Sequence, residues 1–368
     1  MIDRRALLSA AAAAGVSLAL PGEGMARSSW QDASLAQKLG RMLILGFLGQ
    51  DETAGDAARI EAHLGEGRIG GVLFLRHNAR QRAGVEGLAA RFRAAAPHAW
   101  LTIDQEGGLV QRLNEEMGYG DIPRAMDLAG AGIEAASLAY RDAARELKAA
   151  GFNLNLAPVA DLHQEANLVI GRYGRAYGTD PHDVARYCAA FIEAFEAEGI
   201  ACAVKHFPGH GRSEGDSHDG FVDITESWSY EELVPFADLV RSGHAHLIMG
   251  GHLINRRIDP SGEPVTFSRR AIEGLLRDVI GYQGAVITDD LDMGAIRDNY
   301  SRRDAVLGAI QAGNDLLLIS NSADPDPELP QHILGWVEEA IEDGSLPAER
   351  IDAAMARLDA LDRRILRA

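Results

Sequence analysis

The chain has 368 residues, with 36 Lys+Arg against 54 Asp+Glu and a formal net charge of −18. That balance excludes sequence-independent nucleic-acid binding, which needs a basic footprint, and electrostatic attachment to anionic lipid. Its 2 cysteines, Cys188 and Cys202, are too few for a disulfide framework or a four-thiolate zinc site, while 46% hydrophobic residues supply an ordinary core.

Residues 1–26 read as an export signal. Arg4-Arg5 precedes an uncharged stretch, Ala6–Leu20, and the small residues Gly24 and Ala26 then offer a cleavage site. Paired arginines before a mildly apolar segment are the pattern of twin-arginine export. The stretch is too short and too rich in alanine for a membrane span, so no stable membrane insertion is expected after the signal is removed. The expected location is the periplasm. The alternative is a cytoplasmic protein that begins with an amphipathic helix.

From about residue 34 onward, short apolar runs alternate with amphipathic segments. Strands are predicted at Met42–Phe47, Gly70–Leu75, Trp100–Asp104 and Phe152–Pro158, then at Ala201–His206, His246–His252, Ala285–Asp289 and Asp315–Ser320. Most are unbroken apolar runs, as in strands covered on both faces. Helical spacing fills the intervals, for example Ile133–Ala150, His182–Glu198, Ser229–Ser242 and a Ser-capped Ser268–Ile280. Gly151, Gly199, Gly243 and Gly313 lie just past predicted helix ends, where a left-handed residue is wanted. Eight alternating units without a Pro-, Gly- or Ser-rich linker predict one α/β domain, a (β/α)₈ TIM-type barrel over residues 27–368. A doubly wound open sheet is the alternative, but no G-x-G-x-x-G follows the first strand.

Chemistry on a barrel sits at the C-terminal strand ends. In chain order, the third strand ends in IDQEGGLVQR, Ile103–Arg112. There Asp104 can accept two sugar hydroxyls, and Arg112 and the later Arg175 can fix hydroxyl or carboxylate oxygens through rigid forks. Asp161 follows the fourth strand. The fifth strand runs into KHFPGHGRSEGDSH, Lys205–His218, a loop rather than a helix because Pro208-Gly209 stops one. Asp216 and His218 have the spacing of an orienting carboxylate and a proton-transferring imidazole. His206 and His210 are four apart, but the intervening Pro-Gly breaks the helix that would aim both at a metal, so no metal site is expected. For His210 a loop-stabilising hydrogen bond is the preferred reading. The seventh strand ends in VITDDLDM, Val286–Met293, where a carboxylate facing the mouth can act as a nucleophile. Adjacent residues of a strand face opposite ways, and periodicity leaves Asp289 and Asp290 undecided.

These motifs resemble those of the bacterial β-N-acetylhexosaminidases of glycoside hydrolase family 3. Lys205–His218 matches the family signature K-H-[FI]-P-G-x-G-x₄-D-[ST]-H at every defined position. IDQEGG-x-VQR, RAYGTDP at Arg175–Pro181 and TDDLDM are similar to its other motifs. The resemblance implies a (β/α)₈ barrel that removes terminal non-reducing β-linked N-acetylglucosamine with retention, from peptidoglycan fragments or chitooligosaccharides, without a cofactor. It implies Asp289 as nucleophile and His218 as acid/base with Asp216 as its partner. It also places Asp104, Arg112, Arg175, Lys205 and His206 against the sugar. Two departures stand out: the segment before Arg175 is two residues longer than the usual one, and Ala176 replaces the usual serine. The expected partner is a carbohydrate, the expected state a monomer. A β-glucosidase or phosphorylase on the same scaffold, a Schiff-base lyase using Lys205 and a non-catalytic sugar-binding protein are the competing readings.

Overall fold

The computed structural model describes Trp30, residues 32–213, Gly215 and residues 220–365. The segment 1–26 read as an export signal, and the Asp216–His218 pair, lie outside the described residues.

Eight parallel strands form the barrel: β1 (Leu43–Gly46), β2 (Gly71–Phe74), β3 (Trp100–Ile103), β4 (Leu154–Asn155), β5 (Ala201–Phe207), β6 (Leu247–Gly250), β7 (Ala285–Thr288) and β8 (Leu317–Ile319). Each falls on one of the predicted apolar runs. Their order around the sheet is β7-β6-β5-β4-β3-β2-β1-β8. The ring closes through one parallel bridge, Ile287 to Leu316, and a hydrogen bond of 3.1 Å from Thr288 N–H to the Leu316 carbonyl. Strand residues are buried throughout because side chains fill the interior and helices cover the outside. Phe47, Phe74 and Phe152 pack edge to face across β1, β2 and β4, with ring centroids 5.4 and 4.9 Å apart. Burying each such ring contributes about 1.5–3 kcal/mol.

Helix ends follow local chemistry. Ser34 and Gln37 form a reciprocal capping box before the first described helix, Leu35–Met42. Asp180 caps Pro181–Glu196 by accepting from the N–H groups of His182 and Asp183. All four predicted helix-end glycines adopt positive φ. Two predicted helices differ in detail. Ser229–Ser242 splits into a 3₁₀ turn, Tyr230–Leu233, and the α-helix Val234–Arg241. Pro235 supplies no N–H and cannot sit inside a continuous helix, so the helix starts afresh around it. Arg270–Val279 is wound as a π-helix, and its Arg277 guanidinium reaches inward to Asp315 at 2.9 Å. The first described helix and the last, Ala348–Ile365, are clasped by ion pairs Lys38–Asp352 (2.7 Å) and Arg41–Asp362 (2.5 Å). Among the described residues, no helix is long and apolar enough to cross a membrane.

Candidate active site

A cleft of about 270 Å³ opens at the C-terminal mouth of the barrel. Leu73, Leu156, Met249 and Leu318 form its apolar wall, and Asp104, Glu106, Arg112, Arg175, Lys205, His206, His210, Asp289 and Asp290 its polar one. The polar residues stand at strand ends because each strand leaves the apolar interior there and turns into a loop.

On the β3 side, the chain folds back as a short hairpin, Gln105–Gly107 against Val110–Gln111. Its turn needs Gly107 and Gly108, with φ of 112° and 56°, conformations that a side chain would strain. The hairpin brings Arg112 to Asp104, with Nη2 3.1 Å from Oδ2. Lys205, at the end of β5, lies between two carboxylates: its Nζ is 2.8 Å from Asp104 Oδ1 and 2.7 Å from Glu106 Oε1. Arg175 grips Glu106 with both arms of its fork, Nε to Oε2 at 2.9 Å and Nη2 to Oε1 at 2.8 Å. Burial alone would raise the two acids. The cations outweigh it, holding Asp104 well below the carboxylate range and Glu106 down at about 2. Burial likewise opposes the charge on Lys205, but Asp104 and Glu106 raise it above its ordinary value. The result is a network of fixed charges in which every group stays ionised at neutral pH.

On the β5 side, His206 is oriented from behind. Its Nδ1 is 2.7 Å from Asp161 Oδ2, and its backbone N–H donates to Asp161 Oδ1 at 3.1 Å. This leaves Nε2 as the ring nitrogen offered to the cleft. Asp161 also accepts the His210 N–H at 2.7 Å. Burial would raise its carboxyl, yet the histidines and these N–H groups lower it to about 2. His210 Nδ1 meets Ser213 Oγ at 2.6 Å, and burial pushes the imidazole down to about 4, toward the neutral form. The Lys205–His206 and Phe207–Pro208 peptide bonds are cis. Among the described residues, no group of three His, Cys, Asp or Glu side chains is arranged to hold a metal ion.

At the end of β7, the two adjacent aspartates have different surroundings. Asp290 Oδ1 is taken up by the N–H groups of Asp292 (3.0 Å) and Ser320 (2.8 Å), and burial raises its carboxyl to about 6. Asp289 accepts only the Asp290 N–H, at 2.9 Å, among the described residues. Burial would raise it too, but the charges of His252, His206 and Lys205 bring it below its ordinary value. Two neighbouring acids thus have pKa values pushed apart, the arrangement expected where carboxyls take different roles.

The structure therefore brings Asp104, Arg112, Arg175, Lys205, His206 and Asp289 to one cleft. Sequence reasoning passed over Glu106, which ties Arg175 to Lys205. The signal was present: Asp104 and Glu106 are two apart on extended chain and so share a face. It also noted Asp161 without seeing that it orients His206, a contact across 45 residues of sequence.

A charged cleft at the C-terminal mouth of a barrel is where enzymes of this fold carry their chemistry, and the relatives of this chain make it a glycoside hydrolase. The sequence profile described as the glycosyl hydrolase family 3 N terminal domain matches residues 34–361. Curated relatives include a β-hexosaminidase of Xylella fastidiosa (strain 9a5c), 36% identical over 310 residues, covering 80% of this chain and 87% of its own. Another, from Stenotrophomonas maltophilia (strain K279a), is 35% identical over 308 residues, covering 81% and 87%. Among solved structures, a family 3 β-N-acetylglucosaminidase from Paenibacillus sp. str. FPU-7 superposes with a TM-score of 0.81 at 35% identity. That match covers 90% of this chain but only 63% of the Paenibacillus chain. A β-N-acetylhexosaminidase from Beutenbergia cavernae DSM 12333 gives 0.79 at 30% identity, covering 90% and 99%. The chain belongs to glycosyl hydrolase family 3.

Proposed function

We propose that this protein hydrolyses terminal, non-reducing β-linked N-acetylglucosamine from glycans such as peptidoglycan fragments or chitooligosaccharides, with retention at the anomeric carbon. The observation that carries the reading is Asp289, a carboxylate kept ionised at a strand end beside the Asp104–Lys205–Glu106 charge network. The hexosaminidase and N-acetylglucosaminidase names of its relatives support the choice of an N-acetylated sugar.

Asp289 attacks the anomeric carbon, and the bond from that carbon to the leaving oxygen breaks as the oxygen takes a proton from His218. A glycosyl ester on Asp289 results. Neutral His218 then takes a proton from water, the water oxygen bonds to the anomeric carbon, and the ester bond breaks to free Asp289. The assignment of His218, with Asp216 as its orienting partner, rests on the motif Lys205–His218. Asp104 is the acceptor for sugar hydroxyls, and Arg112 and Lys205 are donors already held beside it. His206 offers Nε2 to the sugar, and Arg175 contributes by fixing Glu106. In this reading, residues 27–368 work as one catalytic barrel, exported and monomeric.

Paired aryl substrates test the proposal. The N-acetyl-β-glucosaminide should turn over about 100-fold faster than the β-glucoside, a difference of about 2.7 kcal/mol in transition-state binding. Preference for the glucoside would replace the substrate, and absence of turnover on both would remove the reading. Glycosyl phosphate among the products would mark a phosphorylase.

A further inference from the structure

A second acid packs against the His206–Ser213 turn without lining the cleft. Glu232 comes from the 3₁₀ turn Tyr230–Leu233 and is 0% exposed. Its Oε1 accepts the Arg212 N–H at 3.0 Å, and the N–H groups of Leu162 and Gly211 point at the same carboxyl. Its Oε2 is buried without a hydrogen-bond partner among the described residues. The turn is pressed against it: a Cβ on Gly209 would lie 2.4 Å from Glu232 Cβ, and one on Gly211 would lie 2.0 Å from the Leu162 carbonyl oxygen. Asp161 takes the N–H groups of His206 and His210 and Glu232 that of Arg212, while those of Gly209 and Ser213 return to the carbonyls of His206 and His210. A loop built on Pro208-Gly209 has no helix or strand ladder to hold it, so its N–H groups need such acceptors.

We propose that Glu232 is a positioning residue for glycoside hydrolysis: through the backbone N–H groups of Gly211 and Arg212 it fixes the turn that presents His206 and His210 to the cleft. The proposal rests on the reading of the site given above. Glu232 touches no part of the cleft and acts only through the turn. The charged groups acting on it are Asp161 from the loop after β4 and Arg212 from the turn, with Glu231 next to it in sequence. The Arg212 guanidinium is committed to Glu231 at 2.6 Å. Burial, reinforced by the negative charge of Asp161, pushes the Glu232 carboxyl up to about 8. A neutral acid is the form this dry site suits. Once ionised, Glu232 faces Asp161, an opposition that the Arg212 guanidinium, shared with Glu231, offsets only in part, and the turn loosens.

The test compares Glu232→Ala and Glu232→Gln in the full chain. Two readouts are needed: turnover of an aryl N-acetyl-β-glucosaminide, and hydrogen exchange of the peptide spanning residues 206–213. Glu232→Ala should lower kcat about tenfold or more and raise KM as well, because the displaced turn carries His206, which offers Nε2 to the sugar. Glu232→Gln keeps an acceptor of the same shape and should restore most of kcat. Exchange of the 206–213 peptide, corrected for intrinsic rates, should be faster in Glu232→Ala. It should also speed up above about pH 8 in the wild type but not in Glu232→Gln. A folded Glu232→Ala with wild-type kcat and wild-type exchange overturns the proposal, as does a Glu232→Gln as impaired as the alanine variant. If Glu232→Ala does not fold, the pH dependence of exchange in wild type against Glu232→Gln decides. If the wild type turns over no N-acetyl sugar, the functional reading fails while the exchange comparison still judges the role of Glu232.

Discussion

Arg175 and Glu106 meet through two parallel hydrogen bonds of 2.8 and 2.9 Å, 69 residues apart in sequence. Their side chains are 10% and 7% exposed, and the Glu106 Oε1 that accepts from Arg175 also binds Lys205. Glu106→Gln would keep the shape but strip the charge that both cations face. It should destabilise the fold by about 3–5 kcal/mol, the cost of leaving buried charge uncompensated. It should also lower kcat/KM about 10- to 100-fold by letting Lys205 move relative to Asp104. Urea unfolding and steady-state kinetics read the two effects, and wild-type behaviour in both would mean that the pair is ornamental.

Asp289 and Asp290 are expected to separate cleanly in kinetics. Asp289→Ala should reduce turnover on the order of 10⁴-fold or more, since the bond-forming group is gone. Asp290→Asn retains an oxygen for the N–H groups of Asp292 and Ser320 and should be far milder. Equal damage from both would deny Asp289 its separate role.

The acid side of stability tests Asp161. Its carboxyl is depressed to about 2, so it stabilises the fold above the ordinary aspartate range and loses that contribution as pH falls through about 2. Asp161→Asn should therefore be most destabilised relative to wild type near neutrality, the gap closing as the solution is acidified. A gap that widens toward acid would reverse the assigned sign.

Glu232 has the opposite sign. Its carboxyl is raised to about 8, so the folded chain holds a proton that the unfolded chain has released. The stability linked to that proton is full below the ordinary glutamate range and declines as pH rises to about 8. Replacing it with glutamine removes the slope, and the gain in Tm over wild type should be larger at about pH 8.5 than at about pH 5. An equal gain at both would mean an ionised Glu232.

Export is checked on the native protein. The mature N-terminus should fall after Ala26, and replacing Arg4-Arg5 by Lys-Lys should retain the precursor in the cytoplasm. An intact Met1 on an active, wholly cytoplasmic protein would refute it.

All eight strands were legible, most of them because a strand sheathed on both faces must be written as an unbroken apolar run. The helix-end glycines were legible for a similarly local reason, since only glycine enters the left-handed region cheaply. The break at Pro235 was equally local but lay inside a good amphipathic pattern, which masked it. The residues behind the site were harder. Asp161 under His206, Glu106 beside Lys205 and Glu232 under Arg212 acquire meaning only when separate loops are laid side by side. A motif names the residues that face the substrate; of the acids that hold them, only Glu106 carries a spacing of its own, two residues from Asp104.

The clasp between the first described helix and the last has a practical side. Leu35–Met42 leads directly into the start of β1, and the Ile365 carbonyl lies beside Gly199, just ahead of β5. The described residues therefore begin and end at the floor of the barrel, opposite the mouth. A tag, a fusion partner or a tether to a solid support joined at either end of the described residues would start beneath the barrel and leave the cleft at its mouth open.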